Sequence, residues 1–255
     1  MSTLKHLLRY HKILLLGSDK SYNAAPAVRP DDDRAARQLH AKIYRELGYV
    51  TPDGVNHLGL MTPAADPYGH KAVYFAVWSS AKTASAPVAT GRIIEAAPGD
   101  DHMAFQMYNE LTLSPEAVAT IGSFDPSTCA EVSGLAKRRG ESTVAILLLY
   151  RAMWQYSIGR HHKLWLMAVD ERLFGRIQQL FGPAFQVAGE PVFFRGHTVV
   201  PAMLNLETSI DKLIRASKTG SPWQRLVRAR LAAFMLHGLP NDLRRTHQSK
   251  AKTEA

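Results

Sequence analysis

The sequence predicts an α/β (α+β) fold, a mixed sheet with helices on both faces. Three observations predict it. Residues Cys129 to Ser142, C-A-E-V-S-G-L-A-K-R-R-G-E-S, alternate apolar and polar through Ala130, Val132, Gly134 and Ala136, then turn through a basic stretch into a helix at roughly Glu141. The helix that follows, Glu141 to Ile158, is apolar almost all round, so it packs across a sheet on most of its surface. Leu164 to Val169 is a strand without a charged residue, which places it inside the sheet.

The other elements follow from local pattern. Thr3 to Leu16 reads as a short amphipathic helix with basic residues between its leucines, and Gly17 to Pro30 as a linker with a short strand. Asp31 to Asp33 are expected to cap a helix from Arg34 to Leu47, with Ala36, Leu39, Ile43 and Leu47 on its buried face and Gly48 at its end. Tyr49 to Gly69 carries three prolines and little periodicity, so it is a loop. Ala72 to Trp78 and Pro87 to Ala96 form a strand pair around a Ser, Ala and Thr rich turn. His102 to Leu111 is a connection and Ser114 to Ile121 a short helix. Glu171 to Phe181 is an amphipathic helix with Leu173, Phe174, Ile177, Leu180 and Phe181 inward, stopped by Gly182-Pro183. Phe185 to Val187 and Pro191 to Asn205 supply closing strands, and Trp223 to His237 a basic helix with Leu226, Ala229, Arg230 and Ala233 aligned. The chain divides into an N-terminal amphipathic segment (1–22), a main domain (23–210), and a basic helix with a disordered tail (211–255).

Composition narrows the function. At 46% hydrophobic and 21% charged residues, the 255-residue chain is that of a soluble globular protein, and no apolar run is long enough to span a bilayer. The single cysteine, Cys129, fits a reducing cytoplasm and reads as a packed thiol; the start is too weak for a secretory signal. The histidines lack ligand spacing with a carboxylate, so no metal is expected, and no Gly-x-Ser-x-Gly elbow marks a serine hydrolase. The net charge of +9 is concentrated after residue 211, where ten Lys or Arg face Asp242 and Glu254. Such basic ends suit an acidic protein or peripheral contact with the inner membrane face, without specific nucleic-acid recognition.

The chemistry centres on the strand, turn and helix unit. Amides at a helix start attract phosphate, and Lys137, Arg138 and Arg139 add charge there. Gly140 allows close backbone approach, and Ser142 can cap the helix or bind a phosphate oxygen. Glu131 and Ser133 share one strand face, which puts a carboxylate a few residues from this cradle. The segment Lys137-Arg138-Arg139-Gly140-Glu141-Ser142 resembles a degenerate phosphate loop of the GNAT acyltransferases. Glu131-Val132-Ser133-Gly134-Leu135-Ala136 resembles the E-x-S-R-(L/F)-A signature of the acyl-homoserine lactone and N-acyl amino acid synthases, with Gly134 where the family has Arg. Gly189-Glu190-Pro191-Val192, Arg195-Gly196 and Val200-Pro201-Ala202 resemble the synthases' closing pattern, G-E-x-V-x-(Y/F)-x-G-x-x-V-P-A. The likeness spans roughly residues 30 to 207.

The resemblance implies a GNAT-like, mostly antiparallel sheet and an N-acyltransferase. A fatty acyl group would pass from a phosphopantetheine thioester, on acyl carrier protein or coenzyme A, to the amine of an amino acid, with no bound cofactor. Glu131 would be the base, Ser133 a further member of the catalytic group, and the amides of Leu135 and Ala136 the oxyanion donors. Lys137, Arg138, Arg139, Gly140 and Ser142 would hold the pantetheine phosphate. Asp66, just before the second strand, would shape the acceptor pocket together with Tyr44, and Arg92 could orient an acceptor carboxylate through a bidentate pair. Alternatives are an acyl-homoserine lactone or ornithine-lipid type synthase, and a non-catalytic GNAT-shaped protein that binds an acyl carrier or lipid.

Overall fold

The computed structural model describes residues 22–80, 86–181, 184–194 and 196–239. The expected N-terminal amphipathic helix, the turn at 81–85, Gly182-Pro183, Arg195 and the tail from 240 lie outside these residues. One eight-stranded sheet runs β1 (Tyr22–Pro26), β2 (Ala72–Ser79), β3 (Ala89–Glu95), β4 (Cys129–Lys137), β5 (Leu164–Asp170), β8 (His197–Asn205) and β6 (Phe185–Val187), with β7 (Val192–Phe194) also on β8. Among the described residues β4 and β5 pair parallel and the other partners antiparallel, so the sheet is mixed and mostly antiparallel.

Helices cover both faces because the strands bury both. On one face, α4 (Thr143–Gly159) lies on Phe75, Ile93, Val132 and Trp165, joined by α5 (Glu171–Phe181), α6 (Leu206–Ala216) and α7 (Pro222–Leu236). On the other, α1 (Pro30–Glu46) covers Tyr74 and Ala76, while α2 (Gln106–Glu110) and α3 (Pro115–Gly122) cover Ile94, Leu164 and Leu166. The alternation Phe75 and Val77 to one side, Tyr74 and Ala76 to the other, is the period of a strand buried twice. Each fully buried Ile, Leu or Phe in these layers contributes about 1.5–3 kcal/mol.

Several elements differ from the local reading. The α1 cap is Arg29 with Pro30 at the first position, and Asp31 to Asp33 sit inside the first turn, where they complement the helix dipole. Its buried face holds Ala36, Leu39, His40 and Ala41, while Leu47 is exposed, because Tyr74 and the β4 backbone draw the helix face toward His40. The 102–111 connection contains a 3-10 turn and the short helix α2. α7 turns the other way: Val227, Leu231, Phe234 and Met235 are buried and Leu226 is exposed. Arg225, Arg228 and Arg230 are spaced so that more than one side of this basic helix reads as apolar, which hid the side that meets α4 and α6. Through those residues α6 and α7 complete the same core as the sheet.

Among the described residues, no helix is long and apolar enough to cross a membrane. Cys129 is fully buried, and burial pushes its thiol up to about 12, as expected of a packed cysteine.

Candidate active site

The sheet comes apart between β4 and β5. The two strands pair only at Cys129, Ala130 and Glu131 against Leu164, Trp165 and Leu166. Beyond that point β4 runs on beside β3 to Lys137, and β5 beside β8 to Asp170. The fork between them opens into a cavity of about 180 Å³, walled by Ser133, Gly134 and Leu135 on one side and Met167, Ala168 and Val169 on the other.

A β-bulge on the β3 side of β4 lies beside the fork. On β3, Arg92 faces Ser133 and Thr90 faces Ala136, so Gly134 and Leu135 together oppose Gly91. Gly134 sits at φ +63°, in the left-handed region that glycine enters without steric cost. The extra residue breaks the period, and Leu135 turns to the α4 side. It occupies the space of the missing Gly91 side chain: a Cβ there would lie 2.8 Å from the Leu135 Cδ2.

Glu131 stands at the apex of the fork and is 1% exposed. Its Oε2 accepts a hydrogen bond from the Met107 amide at 3.0 Å. Burial pushes its carboxyl up to about 7, against the lowering effect of backbone donors at Met107 and Gln106 and of the Arg92 charge. A carboxylate poised near neutrality in a cleft is suited to accept and release protons.

The next layer is a buried polar network. Arg92, 4% exposed, donates from Nε to Ser133 Oγ at 2.9 Å and from Nη1 to Asp66 Oδ2 at 2.5 Å and to the Tyr74 hydroxyl at 3.3 Å. Asp66 therefore reaches the site from its loop as the ion-pair partner of Arg92. The Tyr74 phenol in turn lies 3.0 Å from His40 Nδ1. Aromatic contacts run on from there: His40 to Tyr44 at 4.1 Å, Tyr44 to Tyr49 at 5.0 Å and Tyr49 to His197 at 4.9 Å between centroids, each edge to face. His197 Nδ1 lies 3.7 Å from Asp170 Oδ2 at the cavity wall. Burial and the Asp170 charge both raise the Tyr49 phenol, which favours its neutral, hydrogen-donating form.

The basic turn lies where β4 ends. Ser142 caps α4 by accepting from the Val144 amide at 3.2 Å, and Gly140 takes φ +84°. The Thr143 amide, in the first turn, has no carbonyl of its own helix to meet. Arg139 is exposed and Arg138 partly so, while Lys137 is turned inward: its Nζ donates to the carbonyls of Arg138 and Glu141 at 3.1 and 2.7 Å. The Tyr22 hydroxyl donates to Glu141 Oε2 at 3.1 Å, which ties β1 to the turn.

No protein-family model and no curated protein matches the chain. Solved structures do. The chain is similar to FeeM, an N-acyl amino acid synthase from uncultured soil microbes, at 15% identity over 78% of this chain and 98% of that one, with a TM-score of 0.56. It is similar to BjaI, a CoA-dependent acyl-homoserine lactone synthase with SAM and isopentyl-CoA, at 15% identity over 87% and 90%, with a TM-score of 0.54. LasI, an AHL synthase, aligns at 15% identity over 74% and 92%, with a TM-score of 0.51. The fold is that of the acyl synthases.

Within this synthase fold, Glu131, Ser133, Leu135, Tyr44, Asp66 and Arg92 line one cavity. Ala136 is buried just past the bulge, and the basic turn follows where β4 ends at Lys137. Sequence reasoning missed His40, Tyr49, Tyr74, Met107 and His197. For Met107 no sequence signal exists, since a backbone amide carries none. His40 left a faint signal, being a polar residue beside Leu39 on the helix's apolar face. His161 and His162 are separate from the site: His162 pairs with Glu95 at 3.2 Å. Among the described residues no group of His, Cys, Asp and Glu could hold a metal ion.

Proposed function

We propose that this chain is an N-acyltransferase that moves a fatty acyl group from a phosphopantetheine thioester to the amine of an amino acid. The observation that carries this reading is a buried carboxylate at the apex of an open β4–β5 fork, with a basic helix start one strand-length away. The thioester lies in the fork with its carbonyl beside Glu131. Its phosphate rests on Arg138, Arg139, Gly140 and the amides ahead of Thr143, where the helix dipole favours an anion. Lys137 shapes that turn from within. The acyl chain runs toward Tyr150, which also lines a smaller apolar cavity of about 30 Å³ among α4, β8, α6 and α7.

The acceptor enters as an ammonium and must lose a proton before it can attack. Glu131 takes that proton, directly or through one water, and the free amine adds to the carbonyl carbon. Amides at Leu135 and Ala136, beyond the point where β5 lets go, receive the oxyanion. Collapse breaks the C–S bond, the sulfur leaves as a thiolate, in keeping with an ordinary thiol pKa of about 8.5, and it takes up the second proton that the nitrogen sheds in becoming the amide. Tyr44 and the neutralised Asp66–Arg92 pair form the polar end that receives the acceptor. The net charge of +9 suits either anionic donor, an acidic carrier protein or coenzyme A with its three phosphates.

The test is to incubate the protein with acyl carrier and coenzyme A thioesters of several chain lengths and a panel of amino acids, reading amide mass and released thiol. One amide product with stoichiometric thiol is expected. Retained thioester binding with no product from any pairing would instead support a non-catalytic acyl-binding protein.

A further inference from the structure

The cavity at the fork continues to the α4 side of the sheet, where its wall turns apolar at Leu135, Tyr150, Met167, Val169 and Leu173. The small cavity of about 30 Å³ lies on the same side, lined by Trp154, Trp165 and Ile177 and closed by Ile210 and Leu213 of α6 and Met235 of α7. Two polar groups in that lining are engaged with their own partners: Ser209 Oγ donates to the Leu206 carbonyl at 3.0 Å, and Trp165 Nε1 to Ser157 Oγ at 2.8 Å. An apolar cavity of this kind stays dry and takes hydrocarbon.

Three elements carry the lining from one cavity to the other. α4 passes from Tyr150 to Trp154 and α5 from Leu173 to Ile177, in each case about 6 Å along a helix. β5 passes from Met167 to Trp165 on one strand face, about 6.6 Å. The small cavity therefore continues the large one along a groove between α4, α5 and β5, one helix turn deeper. Among the described residues Tyr150 alone lines both. Burial by itself raises its phenol, so the ring stays neutral in this apolar wall.

We propose that the Tyr150 ring closes the acyl site against the inner cavity and so sets the longest chain the enzyme takes. This deepens the acyl-transfer reading and rests on it. A chain that ends short of the ring buries each added methylene, whereas one carbon too many must displace a packed aromatic side chain. The room behind the ring is held by this chain's C-terminal helices: Ile210, Leu213 and Met235 lie beyond residue 207, where the likeness in sequence to the synthases ends.

The experiment measures calorimetric binding of saturated coenzyme A thioesters from butyryl to palmitoyl, with amide formation read in parallel. In unaltered protein affinity should rise about fourfold per methylene and then fall at a length limit. Tyr150→Leu removes the ring and keeps an apolar side chain. It should extend the limit by about four carbons, since one helix turn is about 6 Å and an extended chain advances about 1.2 Å per bond. Adding Ser209→Leu, which fills the inner cavity from α6, should restore the shorter limit, and Tyr150→Phe, which keeps the ring, should never lose it. A limit unmoved in folded Tyr150→Leu, moved as far in Tyr150→Phe, or left long by Ser209→Leu overturns the proposal. Should Tyr150→Leu not fold, a thioester of limiting length with a terminal diazirine is photolysed on unaltered protein: label on Tyr150 is expected, and label that spares it overturns the proposal. If no amide forms with any pairing yet the limit moves, acyl transfer fails and the closed acyl site stands; amide formation with an unmoved limit is the reverse.

Discussion

β5 has two neighbours built in opposite ways. Toward β8 it pairs along its whole length, Leu164 to Asp170 against Asn205 to Val199, and this ladder is faced by apolar residues from both layers. Toward β4 it pairs for three residues and then lets go, leaving Glu131 buried at the point of separation. The ladder satisfies its own backbone and contributes stability. The fork gives up that pairing, and the groups it leaves facing a cavity are the ones available for chemistry. On the proposed reading, structure and function divide between the two edges of a single strand.

Four substitutions or titrations sharpen or break this contrast. Glu131→Gln at the fork should lower turnover by about two to four orders of magnitude while thioester binding persists, read by steady-state kinetics and donor titration. Met203→Ala, buried opposite Leu166 in the ladder and away from both cavities, should do the reverse: a loss of about 2–5 kcal/mol in denaturant unfolding, with both KM values kept. A large KM change there would erase the distinction.

pH gives the third. Burial raises Glu131 from an ordinary 4.5 to about 7, so the folded chain holds this proton more tightly than the unfolded one. Its contribution to stability is complete below about 4.5 and is lost as pH rises through about 7, a difference of about 3 kcal/mol. Glu131→Gln should remove that slope from a stability–pH curve. In the unaltered protein kcat should rise with pH through about 7, because only the carboxylate can take the amine proton. The smallest effect is expected from Arg138→Ala with Arg139→Ala, about tenfold in donor KM with kcat little changed, since these side chains are partly to fully solvated.

The same contrast explains what could be read from sequence. The ladder and the apolar α4 were legible because strand and helix periods follow from neighbours in the chain. Glu131 and the basic turn were legible because they share one strand-to-helix passage. His40 was not, since its burial depends on Tyr74 and Gly134, which come from other elements. Nor was the wall of Tyr49, His197 and Asp170, drawn from a loop and two strands. Gly134 looked like a lesion in the signature; its positive φ and the ring beside it make it part of the bulge.

The central claim is tested most directly by a crystal structure with a stable amide analogue of an acyl-pantetheine thioester. The account predicts the analogue between β4 and β5, its carbonyl within hydrogen-bond reach of the Leu135 or Ala136 amide, its reacting carbon beside Glu131, and its phosphate at Arg138 to Ser142. An analogue bound elsewhere, with the fork empty, would contradict it.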